Sequence, residues 1–310
     1  MATSSSANFS LNRDNLIKSA LRLINVGTEG YTPSAAEMQN AAEALNMMLK
    51  AWTADGLQLW AQKKATLFLE KNEEAYSLGT SGDHATSSYT ETAMRVAAAT
   101  SATTLEVDST TGMAASDYIG IVLDDDTLHW TTVSSVTDSD TVVIATGLAS
   151  AAAIDNQVFF YRTKIYRPLR ITEILLRDGD NDTPLNRLSR EEYWGLGDKT
   201  VSGTPSQFYY DPQLDSGVLY LYPVPSDVDD TIEFVYHRPI EDFDASTDTP
   251  DFPQEWYQAV RFGLSAVIAP EYGVPLKVRE DLKRDAAYYK REVMNFDRED
   301  SNIYIQPDIR

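Results

Sequence analysis

The sequence predicts an α+β protein. Amphipathic helices from both chain ends would form a helical bundle, antiparallel β segments would lie between them, and the middle of the chain would add an all-β sandwich or barrel. Three observations lead there. Apolar residues recur every three or four positions near each end of the chain. Between the ends the apolar period falls to two. Within that middle, Met94 to Thr163 is rich in Thr, Ser, Val and Asp, and VDSTTG, LDDDT and TDSDT punctuate it at short intervals.

The first helix is expected over 13–26. Leu16, Ile17, Ala20, Leu21, Leu23 and Ile24 make its apolar stripe, and Gly27 supplies a left-handed stop. The second is expected over 34–55. Ser34 and Glu37 have capping-box spacing, Met38, Ala41, Leu45, Met48, Leu49 and Trp52 repeat helically, and Gly56 ends it. So short a connection predicts an antiparallel helix pair. From Leu57 the period changes. Leu57, Leu59, Ala65, Leu67 and Leu69 read as strand, as does AYSLG at 75–79. GTSGDHATSSYTET, residues 79–92, reads as a polar loop. In the next block Leu105 with Val107, Ile119 with Ile121, Val142 with Ile144 and Val158 with Phe160 keep the two-residue period.

Asp178 to Asp182 reads as a hairpin tip, and SREEY at 189–193 opens a short helix. SQFYYDP (206–212), GVLYLYPVP (217–225) and TIEFVYHRP (231–239) predict three aromatic-rich strands. Helical spacing returns over 254–269 and again over 275–295, where Val278, Leu282, Ala286, Tyr289 and Val293 would face inward. The last segment, FDREDSNIYIQPDIR, reads as an extended tail over 296–310.

Composition narrows the function classes. At 310 residues, 43% of them hydrophobic and 24% charged, the chain has ordinary globular composition and room for one or two domains. It has no run of about 18 apolar residues. MATSSSANFS lacks the basic and apolar regions of a signal peptide, so synthesis in a cytosol without export is expected. Cys is absent and His84, His129 and His237 are scattered, so disulfides, thiolate chemistry and a metal centre are not expected. A net charge of −21 repels phosphate and argues against a sequence-reading nucleic-acid binder.

Motifs for chemistry are sparse. DGDND at 178–182 has Thr183 and Ser189 where a calcium loop needs Gly and Glu, so it reads as a solvated turn. Glu73-Glu74, Glu191-Glu192 and Glu241-Asp242 are carboxylate pairs of the kind a glycosidase uses, but 47 acidic residues produce such pairs by chance. No catalytic, cofactor-binding or metal-binding residue is therefore assigned, and the chain is expected not to be an enzyme. Aromatic residues in alternating strands serve as core or as contact anchors. Tyr209, Tyr210, Tyr220 and Tyr222, beside Pro223 and Pro225 at a strand end, are the candidate subunit-interface residues.

Several segments carry a family resemblance, in order along the chain. They are residues 13–57, AYSLG (75–79), RPLRITEILLRDG (167–179), LSREEYWGLGDKTVSGTPSQFYYDP (188–212), GVLYLYPVP (217–225) and WYQAVRFGLSAVIAPEYGVP (256–275). GxPxxxYYDP and LYLxPVP, between two helical blocks, make the set fairly specific. Together they resemble the head-to-tail adaptors of tailed bacteriophages, also called tail accessory factors or packaged-DNA stabilisation proteins. Shorter members pass from AYSLG almost directly to RPLRI. The resemblance therefore implies an adaptor core, residues 1–79 and 164–295, interrupted by an inserted β domain at 80–163 and followed by the tail.

The same resemblance implies a structural virion protein at the head-tail junction, made in the host bacterial cytoplasm. It implies a homo-oligomeric ring, usually a dodecamer, below the portal protein ring. Such a ring extends the DNA channel, helps retain packaged double-stranded DNA and presents a platform to the tail nozzle or tube. DNA would pass through the lumen without sequence-specific binding, and no membrane or cofactor would be involved. Twelve copies would carry about −250 formal charges, which would keep DNA mobile. The tail, with Phe296, Ile303, Tyr304 and Ile305 as anchors, is the candidate portal-binding segment. The alternative class is a virion-associated peptidoglycan hydrolase. A receptor-binding module built on the Ser/Thr-rich block is a third.

Overall fold

The structure, a computed structural model, describes residues 8–24, 32–55 and 59–297. Among them the chain is mixed α+β, with five α-helices and several antiparallel sheets. It divides into two compact units, Met1–Ala61 with Pro239–Arg310, and Gln62–Arg238. The helices are α1 (Arg13–Leu23), α2 (Ala35–Asp55), α3 (Arg190–Trp194), α4 (Tyr257–Ile268) and α5 (Leu276–Phe296).

In the first unit, α1, α2, α4 and α5 contribute to one hydrophobic core that includes Leu16, Ile17, Leu45, Val260, Leu264 and Leu282. The Asn12 side chain accepts the Asn15 amide at 2.9 Å and starts α1. That helix ends at Leu23 with Ile24 as its cap, earlier than the expected 26, and Gly27 lies outside the described residues. At α2, Ser34 N–H donates to the Glu37 carboxylate at 2.7 Å and Glu37 N–H donates to Ser34 Oγ at 3.3 Å, which is the reciprocal box the spacing predicts. Gly56 lies outside the described residues.

The Met- and Ala-rich face of α2 has a partner in α4. A Cβ on Gly263 would stand 2.6 Å from the Trp52 ring and 2.9 Å from Met48 Sδ. Glycine there lets the two helices approach closely. The last expected stripe needs one correction: Leu282 is buried and Ala286 and Val293 pack on the core, but Val278 is 40% exposed. Each four-residue step rotates a stripe by about 40° around a helix, so a stripe drawn at that spacing starts at its own edge.

The second unit holds the strands. They are β1 (Gln62–Phe68), β2 (Ala75–Leu78), β3 (Ala85–Thr86), β4 (Thr90–Ala93), β5 (Thr104–Glu106), β6 (Tyr118–Val122), β7 (Leu128–Val136), β8 (Thr141–Ile144) and β9 (Gln157–Tyr161), then β10 (Arg170–Asp178), β11 (Asn181–Pro184), β12 (Asn186–Arg187), β13 (Ser202–Gly203), β14 (Gln207–Pro212), β15 (Gly217–Tyr222), β16 (Val224–Pro225) and β17 (Thr231–His237). A five-stranded sheet has the order β11-β10-β17-β1-β3, and a four-stranded sheet the order β12-β14-β15-β2. The β10–β11 hairpin turns at Gly179-Asp180, as expected for a tip, with Asp178 paired to Asn181.

Two readings change here. The expected loop 79–92 contains β3 and β4, because His84 to Thr86 dock against β1 and Thr90 to Ala93 pair with β9. The expected strand at Leu57 and Leu59 is also displaced: Leu59–Ala61 is a 3-10 turn, Leu57 is outside the described residues, and pairing starts at Gln62. Four consecutive residues of β1, Ala65 to Phe68, are buried, so alternation is lost at its end. One side of β1 faces the five-stranded core. On the other, Phe68 sits among Tyr89, Trp130, Phe159 and Tyr161.

Those aromatic partners belong to the 80–163 block, which lies within the β unit. Its six strands form one sheet of order β4-β9-β6-β7-β8-β5. The sheet curls until its edge strands meet. Met94 bridges Val107, Arg95 N–H donates to Glu106 C=O at 2.9 Å, and Asp108 N–H donates to Ala93 C=O at 2.9 Å. Leu105, Val107, Ile119, Ile121, Val142, Ile144, Val158 and Phe160 fill the interior, as their two-residue spacing predicts. Gly120 is required by a close approach, since a Cβ would stand 2.7 Å from the Trp130 ring.

Candidate functional site

Strand geometry sorts the four tyrosines that the sequence offers as interface candidates. Successive side chains point to opposite faces of a sheet. Phe208, Tyr210, Leu219 and Leu221 face the inner core. Tyr209 lies opposite Tyr220, and Gln207 opposite Tyr222, on the outer face. Tyr210 is 5% exposed and its hydroxyl donates to the Pro168 carbonyl, so its side chain belongs to the interior and offers no surface to a neighbour. Tyr220 and Tyr222 are half-buried.

Helix α3 covers part of that outer face. The Ser189–Glu192 capping box starts it, with Ser189 N–H donating to Glu192 at 2.7 Å and Glu192 N–H donating to Ser189 Oγ at 3.2 Å. The helix sets Tyr193 over the strands, with ring centroids 5.5 Å from Tyr209 and 4.9 Å from Tyr220. Tyr209 and Tyr220 are themselves 5.7 Å apart. This stack leaves Tyr209 only 8% exposed. The Tyr193 hydroxyl donates to the Glu74 carboxylate, and burial followed by that carboxylate pushes the phenol pKa up.

The exposed part of the site is Trp194, at 62%. Lys199 sets its ammonium 5.5 Å from the Trp194 ring and 5.6 Å from Tyr193. Sequence reasoning missed Tyr193, Trp194 and Lys199 as site residues, and named Glu74 only as one of a carboxylate pair. The signal for Trp194 was present: neighbours on a helix point about 100° apart, so an inward Tyr193 turns Trp194 outward. The arrangement is an aromatic platform with one cation and an exposed ring, a composition suited to protein contacts.

The tail anchors divide. Phe296 closes α5 and is 80% exposed. Ile303, Tyr304 and Ile305 lie outside the described residues.

Among carboxyl groups, Asp230 has its pKa pushed up to about 6 by burial, then by Asp227, Asp178 and Asp229. Asp229 is raised by burial, then by Asp227, Asp126 and Asp178. Among the described residues no cluster of His, Cys, Asp or Glu is arranged to hold a metal ion, and no helix is long and apolar enough to cross a membrane. Compared with known proteins, the chain matches no family model and no curated protein.

Proposed function

We propose that the chain is a head-to-tail adaptor, a structural virion protein that forms a ring below the portal, extends the DNA channel and attaches the tail. The observation that carries the reading is the shared core of α1, α2, α4 and α5. It supports a helical bundle drawn from both chain ends. The segment order that resembles the adaptor family supports the same arrangement. A ring of this kind closes through head-to-tail contacts, which need complementary surfaces on one chain. The platform of Trp194, Tyr220 and Tyr222 supplies one surface in this reading. Phe296 and the residues after it supply the portal contact, and the acidic lumen keeps DNA mobile.

Electron microscopy of portal rings mixed with this chain tests the reading. Added ring density under the portal is expected, and portals left bare would contradict it. Deletion of residues 296–310 should weaken that binding, and unchanged binding would remove the tail from the portal contact. The raised Asp230 favours a second reading, an acid–base hydrolase of peptidoglycan. That reading requires soluble fragments released from purified cell walls and lost with Asp230→Asn.

A further inference from the structure

The helical unit carries an exposed basic face. Lys277, Arg284 and Arg291 recur every seven residues of α5, two turns apart, and so share one side of the helix with Lys283 beside them. All four are exposed. Arg284 pairs with Asp281 at 2.9 Å and Asp285 at 3.5 Å on its own helix. Lys277, Lys283 and Arg291 make no ion pair among the described residues. The acids Asp281, Asp285 and Glu292 lie together on an adjacent side, and Glu280 is the acid within the basic arc. This segregation occurs in a chain whose net charge is −21.

The same compact unit holds a surface of opposite sign. Residues 239–256 contain Glu241, Asp242, Asp244, Asp248, Asp251 and Glu255 and no Lys or Arg. The first five of these acids, with Phe243 and Thr249, line a cavity of about 350 Å³. Backbone N–H groups fix its walls. Asp248 accepts from Asp244 N–H at 2.9 Å and Ala245 N–H at 2.6 Å, and Asp251 accepts from Glu241 N–H at 3.1 Å. Asp242 pairs with Lys50 at 2.8 Å. Glu241 and Asp244 are exposed and make no ion pair among the described residues.

We propose that the basic face of α5 in one copy docks on the carboxylate-lined cavity at 239–251 of the next copy, joining neighbouring helical units head to tail. The proposal deepens the ring reading and rests on it. Each chain carries one face of each kind, which is the requirement of a heterologous contact that repeats around a ring. The cavity has room for the end of a Lys or Arg side chain. A second copy fits better than nucleic acid because the acceptor surface is on this chain, and the chain's overall charge repels phosphate. Exposed charges place the contact under salt control.

Charge reversal on each face tests it, with portal-templated assembly measured at low salt. Lys283→Glu with Arg291→Glu, and separately Glu241→Lys with Asp244→Lys, should each weaken assembly at least tenfold. An equimolar mixture of the two variants should restore it, because each reversed face meets its complement on the other chain. Full assembly of either variant alone, or no restoration by variants that keep the wild-type melting temperature, would overturn the proposal. If a reversed variant fails to fold, Lys283→Gln with Arg291→Gln should flatten the salt dependence of assembly, and an unchanged dependence would overturn the proposal equally. Duplex DNA bound by the wild-type chain and lost with Lys283→Glu and Arg291→Glu, with assembly intact, would assign the face to nucleic acid instead. A wild-type chain that forms no ring defeats the adaptor reading itself, whereas a wild-type ring with unaffected variants defeats only this contact.

Discussion

His84 shows how far one residue can depart from its usual chemistry. Its ring lies 3.8 Å from Trp130 in a parallel stack, and Nδ1 is 2.7 Å from the Tyr161 hydroxyl. Burial, and then the Lys164 ammonium, lower its pKa from 6.5 to about 3. The folded form holds it neutral, so unfolding takes up a proton once the pH drops below 6.5. Its contribution is complete above pH 6.5 and falls away as the pH drops from there toward 3. Urea unfolding should show the wild type losing about 2 kcal/mol more than His84→Phe between pH 7 and pH 5. Equal losses would mean that the imidazole is not held neutral. Gly120→Ala places a methyl group against the Trp130 ring and should cost about 1–3 kcal/mol by the same measurement. The sequence marks neither residue. His84 sits in a polar stretch, and its partners come from β7 and β9, so only tertiary pairing reveals its environment.

At the scale of elements, local chemistry was legible where the signal was local. Ser34–Glu37 and Ser189–Glu192 start helices where their spacing says they should. Ser189→Ala should lower stability by about 1 kcal/mol, read as a lower melting temperature, because α3 loses its cap. The strand pattern of the 94–163 block is also visible in the sequence, since each pair of alternating apolar residues enters one interior. What the sequence hides is which face of a strand a helix covers. Tyr209 and Tyr210 are adjacent and look equivalent, yet one lies under Tyr193 and the other in the core. Mutations should separate them. Tyr210→Phe removes the bond to Pro168 and should cost about 1 kcal/mol of stability while leaving assembly intact. Trp194→Ala should change stability by less than about 0.5 kcal/mol and weaken ring formation. A normal ring with Trp194→Ala would remove the platform from the subunit contact. β3 and β4 were unreadable because two- and four-residue strands in a Ser/Thr-rich stretch carry no apolar period.

For the whole molecule the central claim is assembly. Composition alone argued for an acidic, Cys-free chain poorly suited to grip nucleic acid. Helical spacing at both ends argued for helices far apart in sequence but close in space, and they share a core. The sequence did not reveal that the 80–163 block joins the β unit through Phe68 and its aromatic neighbours, because the residues of that joint come from β1, β6, β7 and β9, which are far apart in sequence. Because the proposed contacts include exposed charges, assembly should weaken as salt rises from about 0.05 M to 0.5 M, where the screening length falls below about 5 Å. The most direct measurement is native mass spectrometry of this chain mixed with portal rings from the same genome. The adaptor account predicts a stable complex with equal numbers of the two chains. A chain that stays monomeric beside intact portal rings would contradict it.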